Sequence, residues 1–294
     1  MTHNPAPALL SAALTAAERG WPVFPLRPGD KRPAVAAWEQ RATTDRARIT
    51  RCWQAGPYNV GLATGPGRLV VVDLDTPKHP GDTPPEEWAL PGVVDGADVL
   101  AVLCERHDQP FPTETYSVRT GRGGTHLYFT APAGTELRNT SGRLGWKIDT
   151  RAAGGYVVAP GSTVADLPYT VVHDAPPAPL PDWLAELLRP APLPPQQPVA
   201  VPLVTDRRSA YLRRALDGER ARVTGAPPGE RNNALYLAAV ALGQLVAGGA
   251  LAEDEVTAWL TDAARQVGQG AGETARTIRS GLRAGAQRPR TVAA

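Results

Sequence analysis

The chain has 294 residues, of which 42% are hydrophobic and 20% charged, and its formal net charge is +2. This length allows one large domain or two modest ones. The near-zero charge excludes a chain-wide basic footprint for nucleic acid but leaves room for a local basic patch.

The two cysteines and the lack of a long apolar run narrow the class of protein further. Cys52 and Cys104 are the only cysteines and stand far apart, so we expect neither a disulfide framework nor a structural zinc site. The N-terminus does not resemble a signal peptide, and no apolar run approaches the roughly 20 residues that span a bilayer. We therefore expect a cytoplasmic protein with no membrane partner.

Short helices and strands are predicted at the start of the chain. An alanine-rich helix is predicted over residues 6–19, with Gly20 as its stop. A short strand interrupted by prolines follows at 21–26, and Thr44-Asp45 can cap a helix that runs to about Gln54.

Two further strands, at 59–64 and 68–76, are separated by Gly65-Pro66-Gly67, which predicts that they form a hairpin. A helix at 97–107 precedes several more short strands. These are predicted at 115–118, 126–130, 145–149, 156–159 and 169–172. Short strands with long connections favour the α+β class, with mainly antiparallel sheets and flanking helices.

Composition divides the chain into four segments. An α+β domain over residues 1–175 is followed by a Pro-rich linker at 176–205 that contains a short helix. A small all-α domain is predicted at 206–288, and 289–294 forms a tail. Gly and Pro turns separate the predicted helices of the all-α domain, which are 206–217, 230–247, 253–267 and 272–284.

The stretch from Arg68 to Thr76 is an apolar strand that ends in two aspartates, Asp73 and Asp75. Side chains at i and i+2 of a strand leave on the same face, so the two carboxylates are predicted to point the same way. Because like charges repel and hard divalent cations prefer oxygen ligands, a metal ion would stabilise the pair. The alternative is a strand end whose aspartates cap the following turn.

A Gly-rich loop with flanking cations lies further along the chain, in Arg119-Thr-Gly-Arg-Gly-Gly-Thr-His126. Consecutive backbone amides in such a loop can form an anion nest, and Arg119 and Arg122 add donors that suit phosphate. His126 starts a strand, so its ring can face the same site. The alternative is an ordinary hairpin turn followed by a satisfied strand histidine.

A third carboxylate, Asp149, also ends an apolar strand. Joined to Asp73 and Asp75, it would complete a site of the kind that serves two-metal phosphoryl transfer. The alternative is a turn aspartate paired with Arg151. Upstream, Lys31-Arg32 is either part of the same site or merely solvated.

Taken together, these motifs resemble the bifunctional DNA primase/polymerase (Prim-Pol) family of the archaeo-eukaryotic primase superfamily. The family's apolar-Asp-apolar-Asp, small-x-His and apolar-Asp motifs match residues 72–75, 124–126 and 148–149 in the same order. Segments 59–65 and 155–162 also look similar to accessory patterns of that family. The chain departs from it in lacking the cysteines of a zinc-binding stem and in a loosened sequence after Asp149.

The resemblance implies DNA-templated nucleotidyl transfer, as primase or DNA polymerase, in phage, plasmid or mobile-element replication. It implies that Asp73, Asp75 and Asp149 hold two Mg²⁺ or Mn²⁺ ions and that His126 joins them in catalysis. The implied partners are a single-stranded DNA template and nucleoside triphosphates, and it leaves open whether a separate helicase takes part. The implied nucleotide-binding residues are Lys31, Asn59, Arg119, Arg122, Gly124, Thr125, His126 and Ser162.

The C-terminal helices resemble the small helical domain that often follows this catalytic domain in replication proteins. Its first helix has a basic face. This face either binds the phosphates of the template or is simply exposed to solvent. The arginines that we assign to DNA binding are Arg207, Arg208, Arg213 and Arg214.

Two other functions compete with this interpretation. Asp73-Leu-Asp75-Thr76 nearly fits the start of a haloacid-dehalogenase-like phosphatase, in which Asp73 would be a phosphorylated nucleophile and Asp75 the acid/base. That fold would need alternating β and α units and a parallel strand order. The other alternative is a catalytically silent DNA-binding replication protein.

Overall fold

The computed structural model describes residues 6–135, 137–189, 205–227 and 230–291. The chain divides into two compact units, residues 1–191 and 192–294. Each unit is described by itself below.

The first unit combines short helices with three sheets. Asp45 caps the N-terminus of the third helix by accepting a hydrogen bond from the Arg48 amide at 2.7 Å, which confirms the predicted cap. Residues 86–88 form an additional short helical turn. The helices of this unit are α1 (Ala6–Glu18), α2 (Trp38–Arg41), α3 (Arg46–Gln54), α4 (Gly96–Arg106) and α5 (Asp182–Leu188).

Twelve strands are described. They are β1 (Val23–Leu26), β2 (Asn59–Ala63), β3 (Leu69–Leu74), β4 (Ser117–Arg119), β5 (Thr125–Thr130), β6 (Thr140–Ser141), β7 (Ile148–Arg151), β8 (Tyr156–Val158), β9 (Thr163–Val164), β10 (Leu167–Pro168), β11 (Thr170–His173) and β12 (Ala178–Pro179). The largest sheet has the order β11-β4-β5-β3-β7-β6, and β12 pairs with β5 in parallel. A second sheet has the order β1-β2-β8, and β9 pairs with β10. Apart from β12, the strand pairs are antiparallel, which confirms the α+β class.

The predicted hairpin between strands 59–64 and 68–76 is wrong. Both edges of β2 are taken by β1 and β8, and both edges of β3 by β5 and β7. Between them the chain turns sharply, with the Leu69 amide donating to the Thr64 carbonyl at 2.9 Å and Arg68 at φ 52°. The Gly-Pro-Gly signal therefore marks a passage from one sheet to the other.

Strand β3 is covered on both faces, which explains its continuous apolar run. Val70 and Val72 face a core that includes helices α4 and α5. Leu69 and Val71 face a second core that includes residues of α1 and α3. Side chains alternate between the faces of a strand, so Asp73 shares the face of Val71 and lies where that core gives way to polar side chains.

The segment predicted as a Pro-rich linker, 176–205, begins with packed structure. Strand β12 pairs with β5, and α5 buries Leu184, Ala185 and Leu188 in the core beside α4. Residues 190–204 lie outside the described part of the chain. The domain boundaries themselves stay a prediction.

The second unit is helical. Its first helix continues past Gly218, where the sequence predicted a stop, and the added turns bring Val223 into the core. A single glycine costs a helix only about 1 kcal/mol relative to alanine, so burial of Val223 can outweigh it. The helices are α6 (Thr205–Thr224), α7 (Arg231–Ala247), α8 (Glu253–Gln266) and α9 (Ala271–Ala286).

In the described part of the chain, none of the helices combines the length and the apolar character that crossing a membrane requires.

Candidate active site

Three neighbouring strands place three of the four predicted catalytic side chains in one row. Asp73 on β3 lies directly opposite His126 on β5 and directly opposite Asp149 on β7. Residues opposed in antiparallel strands have Cβ atoms about 5 Å apart and point to the same face. The register therefore brings together residues that are far apart in sequence. We call His126, Asp73 and Asp149 the central row.

His126 and Asp73 form a close pair in this row. The His126 Nε2 atom lies 3.4 Å from Asp73 Oδ1, and His126 is only 4% exposed. Burial raises the pKa of Asp73, but the charge and hydrogen bond of His126, with help from Arg151 and Lys31, bring it below its ordinary value. The Nδ1 atom of His126 is buried and has no hydrogen-bond partner among the described residues.

Two hydrogen bonds hold the Asp149 carboxylate, one from its own strand and one from the backbone before that strand. Its Oδ2 accepts a hydrogen bond from Arg151 at 2.9 Å, and its Oδ1 accepts one from the Gly142 amide at 3.3 Å. The pairing with Arg151 that we considered as an alternative is present, but within strand β7 rather than in a turn. Arg151 stands two residues along, so it shares the face of Asp149.

Asp75 follows the end of β3. Its backbone amide donates to the Lys147 carbonyl at 2.9 Å, and its carbonyl accepts from the Gly96 amide at 2.9 Å. Burial raises the pKa of the Asp75 carboxyl, and the negative charges of Asp73 and Asp149 raise it further. The three acids thus interact electrostatically with one another.

The donor chemistry of the three carboxylates fits a hard divalent cation, because Mg²⁺ and Mn²⁺ prefer oxygen ligands. Their mutual repulsion, which raises the pKa of Asp75, is what a bound cation would relieve. Within the described ranges, no three His, Cys, Asp or Glu side chains are gathered closely enough to hold a metal ion. Instead, the Asp73 carboxylate lies beside His126, and the Asp149 carboxylate pairs with Arg151.

The Gly-rich loop at 120–124 closes against the end of β3. The Thr120 amide donates to the Gly124 carbonyl at 2.9 Å, and the Thr76 hydroxyl donates to the Arg122 carbonyl at 3.0 Å. A Cβ atom at Gly124 would lie 2.6 Å from the Leu74 carbonyl oxygen. Only glycine allows this approach, so Gly124 sets how near the loop lies to the acids.

Two predicted nucleotide-binding residues of this loop lie on the other face of the sheet. Arg119 and Thr125 are opposite one another in register, and Thr125 is opposite Leu74, whose side chain lies in the α4 core. The Arg119 guanidinium donates to the Gly123 carbonyl at 2.9 Å, which braces the loop. Arg122 is exposed and remains available to a ligand.

The accessory candidates Asn59 and Ser162 are buried and bonded to backbone. The Asn59 amide donates to the carbonyls of Asp30 and Thr163, and its Oδ1 accepts from the Thr163 amide at 3.2 Å. The Ser162 hydroxyl accepts from the Val60 amide at 2.9 Å. The structure therefore favours bracing by both side chains, and a direct contact with nucleotide stays a prediction.

Lys31 lies on the loop that Asn59 braces. It is exposed, and its charge is among those that lower the pKa of Asp73. Its backbone carbonyl accepts a hydrogen bond from the Tyr156 hydroxyl at 3.1 Å. Lys31 therefore lies within electrostatic reach of the central row.

Sequence reasoning missed Tyr169, which precedes β11. Its ring centroid lies 5.9 Å from that of His126. Burial raises the pKa of the Tyr169 phenol, with further contributions from the charges of Asp73 and Asp75. Tyr169 is placed here by the pairing of β11 with β4 and by backbone hydrogen bonds between Tyr169 and residues 161 and 162. No local sequence motif predicts this position.

Of the arginines predicted to bind DNA, Arg213 and Arg214 are exposed on α6. The side chains of Arg207 and Arg208 lie outside the described residues. Their role stays a prediction.

A family model described as "Bifunctional DNA primase/polymerase, N-terminal" (Prim-Pol) matches residues 13–183, which is more than half of the chain. The chain belongs to the Prim-Pol family. It thus carries a primase/polymerase-type domain of the nucleotidyltransferase kind, and the matched region contains the whole central row.

The crystal structure of the primase RepB′ aligns with 96% of this Prim-Pol chain and 98% of its own, at 14% sequence identity and a TM-score of 0.32. A comparison with curated protein sequences gave no match.

Proposed function

We propose that this protein catalyses DNA-templated nucleotidyl transfer, as primase, DNA polymerase or both, with Asp73, Asp75 and Asp149 as its catalytic acids. The observation that carries the proposal is the register that sets Asp73 directly opposite His126 and Asp149. Membership in the Prim-Pol family supports the same reaction class. Replication of a phage, plasmid or other mobile element is the context that the resemblance implies.

The three carboxylates are the residues that would hold two Mg²⁺ or Mn²⁺ ions. Such ions activate the primer 3′-hydroxyl and neutralise the triphosphate and the leaving pyrophosphate. Arg151 and His126 orient Asp149 and Asp73, respectively, from the same face of the sheet. In phosphoryl transfer the protein chiefly positions groups and stabilises charge, and this arrangement suits that task.

The triphosphate would bind beside the acids, at the Gly-rich loop. Arg122 is the exposed cation of that loop, and Gly124 lets the loop approach the end of β3. Lys31 would add a second positive charge from its own loop. Tyr169 is partly exposed beside His126 and within electrostatic reach of Arg122, and it would offer a ring and a hydroxyl to the nucleotide.

The strand directions do not support the phosphatase alternative. The phosphatase fold requires Asp73 and Asp75 to follow a strand of a parallel sheet, whereas both neighbours of β3 are antiparallel to it. A catalytically silent DNA-binding protein remains an outcome that experiment decides.

The test is primer extension with Mn²⁺ on a primed single-stranded DNA template, comparing the wild type with Asp73→Ala. We expect the wild type to incorporate nucleotides and the variant to do so at least about 100-fold more slowly, because the variant lacks a carboxylate that contributes to stabilising charge in the transition state. Release of inorganic phosphate without extension would favour the phosphatase. DNA binding with neither activity would favour the silent protein.

A further inference from the structure

Helix α9 presents three arginines on the side that faces away from its own core. Successive residues of an α-helix are rotated by about 100°, so Arg276, Arg279 and Arg283 fall within an arc of about 60°. All three are exposed. We call them the arginine face. The opposite side of the helix is buried and comprises Thr274, Thr277, Ile278, Gly281, Leu282 and Gly285.

Close packing fixes the direction in which the arginine face points. A Cβ atom at Gly281 would lie 2.5 Å from the Ala239 Cβ, and one at Gly285 would lie 2.4 Å from the Val240 carbonyl oxygen. Helix α9 therefore meets the backbone of α7 at two places where only glycine fits. Rotation of α9 would drive larger side chains into α7, so the arginines stay directed outward.

The arginines of this face are not ion-paired in the described part of the chain. Across the described residues, no carboxylate forms an ion pair with Arg276, Arg279 or Arg283. Elsewhere in the same unit, Arg222 pairs with Glu219 at 2.8 Å and Arg265 pairs with Asp262 at 2.6 Å.

The basic helix that the sequence singled out, α6, is partly neutralised in its second half. Arg222 is paired there, and Arg220 lies 3.9 Å from Asp262 and against the Trp259 ring. The second half of α6 therefore offers less unpaired positive charge to a ligand than the arginine face of α9 does.

We propose that the arginine face binds the sugar-phosphate backbone of single-stranded DNA. Guanidinium groups donate in a planar fork that matches phosphate oxygens. Arg276 and Arg283 are seven residues apart, which spans about 10 Å along the helix and suits successive phosphates of one strand. The choice of DNA rests on the proposed function, because a templated nucleotidyltransferase has to hold a template.

The composition of the outer side of α9 disfavours an anionic membrane as the partner. Ala275 and Ser280 are the small side chains among the arginines, and the large apolar residues Ile278 and Leu282 are already packed inside. A membrane-surface helix would need exposed apolar side chains to insert between the lipids.

The test measures binding of a fluorescent oligothymidine about 16 nucleotides long to the full chain by anisotropy, without nucleotide. Salt is varied from about 50 to 200 mM, and the wild type is compared with the triple variant R276Q/R279Q/R283Q. Three lost phosphate contacts should weaken binding about 10- to 100-fold and make the slope of log affinity against log salt less steep by about 2.

The matched control is R46Q/R222Q/R265Q, which removes the same charge from exposed arginines that form ion pairs. We expect it to leave the slope nearly unchanged. The variant R276K/R279K/R283K keeps the charge and should retain most of the slope. It also keeps the test decisive should the glutamine variant fail to fold.

Equal losses in the control and the arginine-face variant, or no loss in the latter, would overturn the proposal. So would arginine-dependent binding to phosphatidylglycerol vesicles with no arginine dependence for the oligonucleotide. Primer extension is assayed separately on the same proteins. An arginine-dependent slope without extension by the wild type would refute the polymerase alone, and extension with an unaltered slope would refute the arginine face alone.

Discussion

In the central row, His126 lies 3.4 Å from Asp73, and Asp149 pairs with Arg151. On α9, by contrast, the three arginines of the arginine face have no ion-pair partner among the described residues. The sheet places a histidine beside Asp73 and an arginine beside Asp149 on the same face, which orients these two carboxylates. Helix α9 leaves its cations exposed to solvent. The comparison teaches that paired charge can set geometry, while unpaired charge on a rigid surface remains available for a ligand.

Among substitutions near the central row, Gly124→Ala should have the largest effect on stability and activity. The added methyl group would meet the Leu74 carbonyl oxygen at 2.6 Å, and such overpacking costs about 1–3 kcal/mol. We expect that loss in the free energy of unfolding, measured with urea, together with reduced nucleotide incorporation. Gly218→Ala is the control, since nothing lies within 4 Å of a Cβ there, and it should stabilise α6 by about 0.5–1 kcal/mol. Equal stability of the two variants would contradict the close approach.

Asn59→Ala tests whether this side chain braces the fold or contacts nucleotide. Its removal takes away three part-buried hydrogen bonds to the backbone of Asp30 and Thr163, which should lower the free energy of unfolding by about 2 kcal/mol. Urea denaturation measures it, and the exposed Asn233→Ala should change stability by less than about 0.5 kcal/mol. A raised KM for nucleotide at unchanged stability would instead assign Asn59 to direct binding.

Arg151→Gln breaks the pairing of charges in the central row. Without the guanidinium, Asp149 loses the donor that holds its Oδ2, and a residue that orients a metal-binding carboxylate is typically worth about 10-fold or more in activity. Primer extension rates measure the effect, and Arg46→Gln, which removes an exposed pair with Glu18, should leave them unchanged. A faster Arg151→Gln enzyme would show that the arginine competes with the metal rather than orienting its ligand.

Local pattern was enough to predict the strand that carries Asp73, most of the helices and the α+β class. It did not predict the short helix α2. It failed where the outcome depended on distant partners. The Gly-Pro-Gly turn looked like a hairpin because the strands that occupy the edges of β2 and β3 come from elsewhere in the chain.

Prediction of the site from local sequence was limited in the same way. The three acids and His126 were predicted from motifs. The strand register sets Asp73 opposite His126 and Asp149, and Asp75 follows the end of β3. Arg119 was assigned to the nucleotide although strand alternation places it on the other face from His126. Tyr169 was not predicted as a site residue because contacts with β4 and with residues 161 and 162, rather than a local motif, bring it to His126.

The central claim is that acids from two separate strands hold shared cations. Titration of Mn²⁺ followed by electron paramagnetic resonance tests it most directly, on the wild type and on Asp73→Asn and Asp149→Asn. We predict that each variant loses bound Mn²⁺, with affinity lower by at least about 10-fold. Wild-type Mn²⁺ binding by Asp149→Asn alongside a loss in Asp73→Asn would contradict the shared site.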